Sequence, residues 1–252
     1  LNVMRQSLLY SGLEAIAYNR NRKNSDLKLY EFGKIYRTDE SAFKENQRLS
    51  MFLVGSQLSE QWNHPSREVS FYSLKAGVDA IVKRLSIVDL VTEEAASKEL
   101  SYGLNYKKGE KSLVSFGSVN KSILKKLDID KEVFYADFDW DLILKTVSKN
   151  KISFREVPRF PAVRRDLSML LDKVVSFNQL KTIAVKTERK LLKEVNVFDV
   201  YEGDKLPAGK KSYALSFILQ DDEKTLTDKQ IDSIMQKLIA NFEKEVGAEV
   251  RK

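Results

Sequence analysis

The residues whose types and spacing could do chemistry lie late in the chain. Asp199 and Tyr201 stand two apart in Val195-Asn-Val-Phe-Asp-Val-Tyr201. Ser212 and Ser216 alternate with apolar residues in the next run, and Ser168 sits in an earlier one. In strands, alternate residues share a face. That spacing can bring together an aromatic ring, an acid and small hydroxyls. The ring can stack a nucleobase, Asp199 and Ser212 can bond base edges, and the small residues let an RNA backbone come close. Arg164, Arg165, Lys210, Lys211 and Arg251 flank the set and suit phosphates. The chemistry is recognition of single-stranded RNA. An ordinary solvated sheet face would carry the same kinds of residue.

These side chains need strands to align them. Pro158 and Pro161 exclude a helix interior or a central strand and make a stiff lead-in. Asp166 to Leu171 then reads as a strand, with Leu167, Met169 and Leu171 inward and Asp166 and Ser168 outward. Ser176 and Gln179 form a capping box for a helix to about Lys190. Val195 to Tyr201 is the second strand, with Phe198 and Val200 expected inward and Asp199 and Tyr201 outward. Glu202 to Gly209 is a hairpin loop. Lys211 to Gln220 is the third strand, with Tyr213, Leu215, Phe217 and Leu219 inward. Thr227 and Gln230 cap a second helix carrying Ile231, Ile234, Met235, Leu238, Ile239 and Phe242, and Gly247 stops it. Ala248 to Arg251 closes the sheet. This β-α-β-β-α-β order is the ferredoxin-like split unit. Both helices then cover one sheet face and leave the other open.

Residues 1–148 read as a separate α+β domain, joined through a linker at 149–157. The spacing predicts helices at Leu8 to Asn21, Phe71 to Leu85 and Trp140 to Val147, and a short basic one at Val119 to Leu127. Strands are expected at Leu27 to Tyr36, Leu49 to Val54, Leu100 to Tyr106, Ser112 to Phe116 and Val133 to Phe138. Arg37 to Arg48 reads as a polar loop, and Ser59 to Val69 as irregular. Strands without regular helical crossovers imply a mainly antiparallel sheet.

Composition narrows the function classes. Hydrophobic residues make up 42% of the 252, enough for real cores, and charged residues 31%. No apolar run is long enough to cross a bilayer, so no membrane role is expected. The absence of cysteine excludes disulfides, thiolate nucleophiles and cysteine zinc sites, and makes a cytoplasmic home the expectation. The single histidine, His64, cannot build a metal cluster and reads as a loop residue. The net charge of +7 is spread over both halves, which permits an RNA partner without demanding one. The chain opens on Leu1 rather than Met, so a fragment of a longer polypeptide is expected.

Phe160-Pro-Ala-Val-Arg-Arg-Asp-Leu167, Val197-Phe-Asp-Val-Tyr201, Lys210-Lys-Ser-Tyr-Ala-Leu-Ser216, Leu219 to Asp228 and Gly247-Ala-Glu-Val-Arg251 together resemble the ferredoxin-fold anticodon-binding domain of phenylalanyl-tRNA synthetases. The resemblance implies binding of the anticodon region of phenylalanine tRNA, with contacts at Asp199, Tyr201 and Ser212, and further ones at Arg251, Arg164 and Arg165. The first half is similar to the catalytic-like core of the bacterial β subunit of that family. Its carriers are Val3-Met-Arg-Gln-Ser-Leu-Leu9, Leu29 to Tyr36, Gln61-Trp62, Phe71 to Lys75, Phe116 to Val119 and Phe134 to Phe138. This implies a class II synthetase-like antiparallel sheet without catalysis of its own, serving a catalytic α subunit. The family implies two α and two β subunits, with ATP and Mg²⁺ used by the complete enzyme and no cofactor in this chain. The expected identity is the carboxy-terminal part of such a β subunit, lacking the editing module. The alternative is a protein assembly module whose open sheet face binds protein.

Tyr36-Arg-Thr-Asp39 resembles the Arg-x-Glu signature that grips ATP in active class II enzymes. That grip needs a second arginine on a later strand, and none occurs between Arg84 and Arg155. Lysine cannot supply the same planar fork. Trp62 and Trp140 read as core or interface anchors. Lys186, Arg189, Lys190 and Lys193 read as a solvated helix face.

Overall fold

The computed structural model describes residues 3–39, 42–148, 150, 154, 156–204 and 206–250. The chain divides into two compact units, Leu1–Ile152 and Ser153–Lys252.

In the first unit the order is α1 (Leu9–Arg20), β1 (Leu27–Asp39), β2 (Ala42–Val54), β3 (Ser56–Leu58), β4 (Arg67–Glu68), α2 (Phe71–Arg84), β5 (Val91–Glu94), β6 (Leu100–Lys108), β7 (Lys111–Val119), α3 (Lys121–Lys125), β8 (Phe134–Asp139) and α4 (Trp140–Val147). Six strands form one antiparallel sheet in the order β1-β2-β8-β7-β6-β5. Alternation along β8 assigns its faces. Phe134, Ala136 and Phe138 join Leu74 and Val78 of α2 and Ile143 of α4. Tyr135 joins Leu9, Leu13 and Ile16 of α1 and Leu124 of α3. A helical layer therefore lies on each face.

Arg37 to Arg48 is not the loop expected from its polarity. β1 and β2 run on as a paired hairpin, with Arg37 opposite Lys44 and Asp39 opposite Ala42. Water wets this extension, so an alternating apolar signal never arises. Arg67 and Glu68 also pair where irregular chain was expected, opposite Leu58 and Ser56 in the short β3–β4 ladder. Trp62, expected as an anchor, is 98% exposed and outside every core. Trp140 does pack, with its ring 4.9 Å from that of Phe32.

The second unit runs β9 (Val163–Asp172), α5 (Phe177–Thr187), β10 (Leu192–Tyr201), β11 (Lys210–Leu219), α6 (Asp228–Val246) and β12 (Glu249–Val250). Its sheet order is β10-β11-β9-β12, the arrangement of a ferredoxin-like split unit. Ser176 with Gln179 and Thr227 with Gln230 close reciprocal capping boxes, and Gly247 ends α6 in the left-handed region at φ 62°. Helix α5 stops at Thr187, short of Lys190. The Glu188 carboxylate accepts from the backbone N–H of Lys190 and Leu191, both at 3.0 Å, and turns the chain into β10. Arg189 and Lys190 therefore leave the helix face to which they were assigned. The proline lead-in is tied to the sheet, because the Gln220 amide donates to the Phe160 carbonyl at 2.7 Å.

Leu167, Met169 and Leu171 of β9 and Leu215, Phe217 and Leu219 of β11 meet Leu180 and Ile183 of α5 and Ile231, Leu238 and Phe242 of α6. Phe217 is fully buried beside Phe242. Replacing Phe217 with Ala should destabilise this unit by about 3–5 kcal/mol, read as an earlier urea or thermal midpoint. A loss below about 1 kcal/mol would contradict the packing described.

Candidate nucleic-acid interface

The helix-free face of the second sheet is built by cross-strand register. Tyr201 lies opposite Ser212, which lies opposite Leu170. Asp199 lies opposite Ala214, which lies opposite Ser168. Asn196 lies opposite Ser216, which lies opposite Asp166. Residues directly opposite share a face, so Asp199, Tyr201, Ser212 and Ser168 come together on the side away from α5 and α6.

Strict alternation would not have produced this. Val195 and Val197 pair with Phe217 and Leu215 and turn towards the helices. Two further steps of two would carry Asp199 and Tyr201 to the same side. The register instead shifts between Val197 and Asp199, leaving Phe198 as an extra residue. This β-bulge reverses the parity of everything after it. The bulge corrects the expectation for Phe198, while Val200 keeps the helix-side register expected of it without being buried. Phe198 is half exposed and faces Arg164 of the open side, and Val200, though level with Tyr213, is also half exposed at the sheet edge. Neither belongs to the core.

Tyr201 is 40% exposed. A Cβ built on Gly203 would lie 2.6 Å from the Tyr201 hydroxyl and 2.8 Å from its ring carbon Cζ. The absent side chain at Gly203 is what gives the ring its place. Ser212 and Ser216 are buried at the floor of the sheet, while Asp199 is exposed with no hydrogen-bond or ion-pair partner among the described residues.

The flanking cations divide. Arg164 is on the open side, with Nε and Nη2 2.8 and 3.2 Å from the two Asp166 oxygens, which holds its guanidinium above its usual pKa. Lys210 reaches Asp172 at 3.1 Å and Glu249 at 3.7 Å. Arg165 and Lys211, expected on the same rim, occur at helix-side register positions. Arg165 pairs with Asp228 at the start of α6, at 3.3 Å. Lys211 is 6% exposed, and its Nζ donates to the Tyr213 hydroxyl at 2.9 Å. Both follow from period-two alternation: Arg165 is level with Phe217 and Lys211 with Leu171. Arg251 lies outside the described residues.

The first unit holds a second polar site. A cavity of about 290 Å³ is lined by Arg48, Glu99, Ser115, Tyr135, Asp137 and Asp139. Arg48 reaches Asp137 at 3.5 Å and Asp139 at 3.7 Å. Burial raises the Asp137 carboxyl above the usual range against the pull of Arg48, and Asp139 and Glu99 add to the rise. Burial also pushes the Tyr135 hydroxyl up, with Ser50 3.3 Å away. This carboxylate-rich lining does not fit a triphosphate, whose charge it would repel. Of the Arg-x-acid stretch, Arg37 lies on the solvated hairpin, and the Asp39 side chain lies outside the described residues. Among the described residues no group of three or more acids and His64 could hold a metal ion.

A ferredoxin-like sheet that is bare on one side, with an aromatic ring, an acid and hydroxyls in register, has the layout of a single-stranded nucleic-acid binding module. Comparison with known proteins narrows this. The model for the phenylalanyl tRNA synthetase beta chain CLM domain matches residues 1–140, and that for the ferredoxin-fold anticodon binding domain matches residues 158–251. The chain belongs to the phenylalanyl-tRNA synthetase β chain family. It is 47% identical to the phenylalanine–tRNA ligase beta subunit of Bacteroides thetaiotaomicron, over all of this chain and 32% of that protein. The corresponding subunit of Porphyromonas gingivalis is 42% identical over the same shares. That of Thermotoga maritima is 34% identical over 98% of this chain and 31% of its own length. The chain thus spans about a third of the length of these relatives.

The raised Asp137 carboxyl has a stability consequence. The folded state holds that proton more tightly than the unfolded chain. Its contribution is therefore full below the ordinary carboxylate pKa of about 4 and is lost as pH rises through the raised value. Asp137→Asn removes the titration. Thermal midpoints measured from pH 4 to pH 7 should fall more for the wild type than for the variant. Parallel profiles would refute the assignment.

Proposed function

We propose that this chain acts within a phenylalanine–tRNA ligase β subunit, and that its second unit holds the anticodon region of phenylalanine tRNA on the open sheet face. The observation that carries the reading is the bulge that sets Asp199 and Tyr201 beside Ser212, together with the match of residues 158–251 to an anticodon-binding family. Tyr201 stacks a base, and the unpaired Asp199 carboxylate accepts from base amino or imino groups. Ser212 and Ser168 keep the floor low enough for a nucleotide to lie flat. Arg164 and Lys210 meet phosphates only by sharing or leaving their carboxylates, so stacking rather than charge supplies most of the affinity.

The first unit supports the reading from the other side. Its polar cavity is lined by one arginine, Arg48, with no second among its described lining residues to grip a triphosphate, which supports placing amino-acid activation in an α subunit partner, and the family resemblance implies an assembly of two α and two β chains. No helix among the described residues is long and apolar enough to cross a membrane.

Titration of a labelled RNA hairpin carrying the phenylalanine anticodon tests the site. Tyr201→Ala should weaken binding by about 1–3 kcal/mol, the value of one base stack. Gly203→Ala keeps every polar group but drives the ring from its place, so it should weaken binding in the same direction. Unchanged affinity in Tyr201→Ala would remove the site. Loss of binding to a protein partner without any loss of RNA binding would instead favour an assembly module.

A further inference from the structure

We infer that the open face carries a second base-stacking subsite, with Phe198 as its platform, separate from the one at Tyr201. The inference rests on the RNA-binding reading above and extends it. Phe198 is the extra residue of the β10 bulge, and it is 50% exposed. It takes no part in the hydrophobic core of its unit. A large aromatic ring that contributes nothing to the core, held on a bulge, needs another reason for its position. Bulges re-aim side chains at sites.

The surroundings match a nucleotide. The Arg164 guanidinium carbon lies 5.1 Å from the centre of the Phe198 ring. Arg164 is fixed there by its two-point bond to Asp166, so the pair of planar groups is assembled in advance. The guanidinium lies over part of the ring, so a base laid on the remaining ring surface would have it close by, able to meet a phosphate by sharing it with Asp166. Asn196 is exposed on the same face, level with Ser216, and its amide can both donate to and accept from a base edge.

Two residues, Asp199 and Val200, lie between Phe198 and Tyr201, and the three steps span about 10 Å at the usual rise per residue. One base cannot lie on both rings. The two platforms therefore take two different nucleotides, with Asp199 between them. Four-stranded sheets of single-stranded RNA modules stack two or three bases in this manner.

The test uses the full chain and a labelled hairpin carrying the phenylalanine anticodon, together with versions that lack one base at each loop position in turn. Phe198→Ala should weaken binding about 5- to 150-fold, the equivalent of one stack. Phe198→Tyr keeps a ring and should bind nearly as wild type does. The wild type should be sensitive to base removal at two loop positions. Phe198→Ala should become insensitive at one of them, and Tyr201→Ala at the other. Wild-type affinity in Phe198→Ala, with weakened binding in Tyr201→Ala, overturns the second subsite and leaves the anticodon reading intact. If both variants lose sensitivity at the same loop position, Phe198 acts only through Tyr201 and the subsite is likewise overturned. Failure of the wild type to bind any hairpin removes the anticodon reading and this inference with it. Circular dichroism of each variant confirms that the fold is retained, as expected for a ring outside the core.

Discussion

Between Val197 and Asp199, strand β10 holds one residue more than β11 can match. The side-chain period of a strand is two, so one added residue moves everything beyond it to the opposite face. Before the bulge, β10 lends Val195 and Val197 to the core under α5 and α6. After it, the same strand lends Asp199 and Tyr201 to the open side. A continuous strand could serve one purpose or the other. The bulge lets a single edge strand do both, and it sits on an edge, where the lost ladder bond is least costly.

The ferredoxin-like order was legible because each element announces itself. Ser176–Gln179 and Thr227–Gln230 mark the helix starts, Gly247 marks an end, and alternation in β9 and β11 marks their faces. The outward placement of Asp199 and Tyr201 was also legible, but only by treating Phe198 and Val200 as the inward pair. Apolarity suggested that pairing; the register leaves Phe198 unpaired on the bulge and keeps only Val200 on the helix side, level with Tyr213. Nothing in residues 195–201 taken alone marks a bulge; the clue was that Val195, Val197, Phe198 and Val200 cannot all face inward in one regular strand. Lys211 shows the reverse case. Its charge suggested a rim, yet its parity with Tyr213 already placed it on the helix side. The β1–β2 extension escaped because hydropathy reports burial, and paired strands wetted by solvent leave no hydropathic trace.

Both units are antiparallel sheets, and they use their faces differently. In the first, helices lie on both sides, and the face shared with α1 is apolar around Phe52 and Tyr135 but polar around Arg48, Asp137 and Asp139. Arg48 is shared there between the two aspartates at 3.5 and 3.7 Å, while its buried Nε has no hydrogen-bond partner among the described residues. In the second, helices take one side only, so the other is free for recognition. The contrast shows how an antiparallel sheet can be shut or left accessible by where the helices fall.

The neutralised rim of the second sheet bears on timing. Arg164 with Asp166 is a dipole rather than a free charge, and Lys210 with Asp172 and Glu249, one cation against two carboxylates, sums to a net negative charge. Their fields fall off quickly with distance and give little guidance to an approaching polyanion. On the proposed reading, any steering of an RNA loop towards this surface comes from the chain's net charge of +7 rather than from this rim. Selection among loops, on that same reading, is exercised in dwell time: a correct loop stays, and an incorrect one leaves sooner.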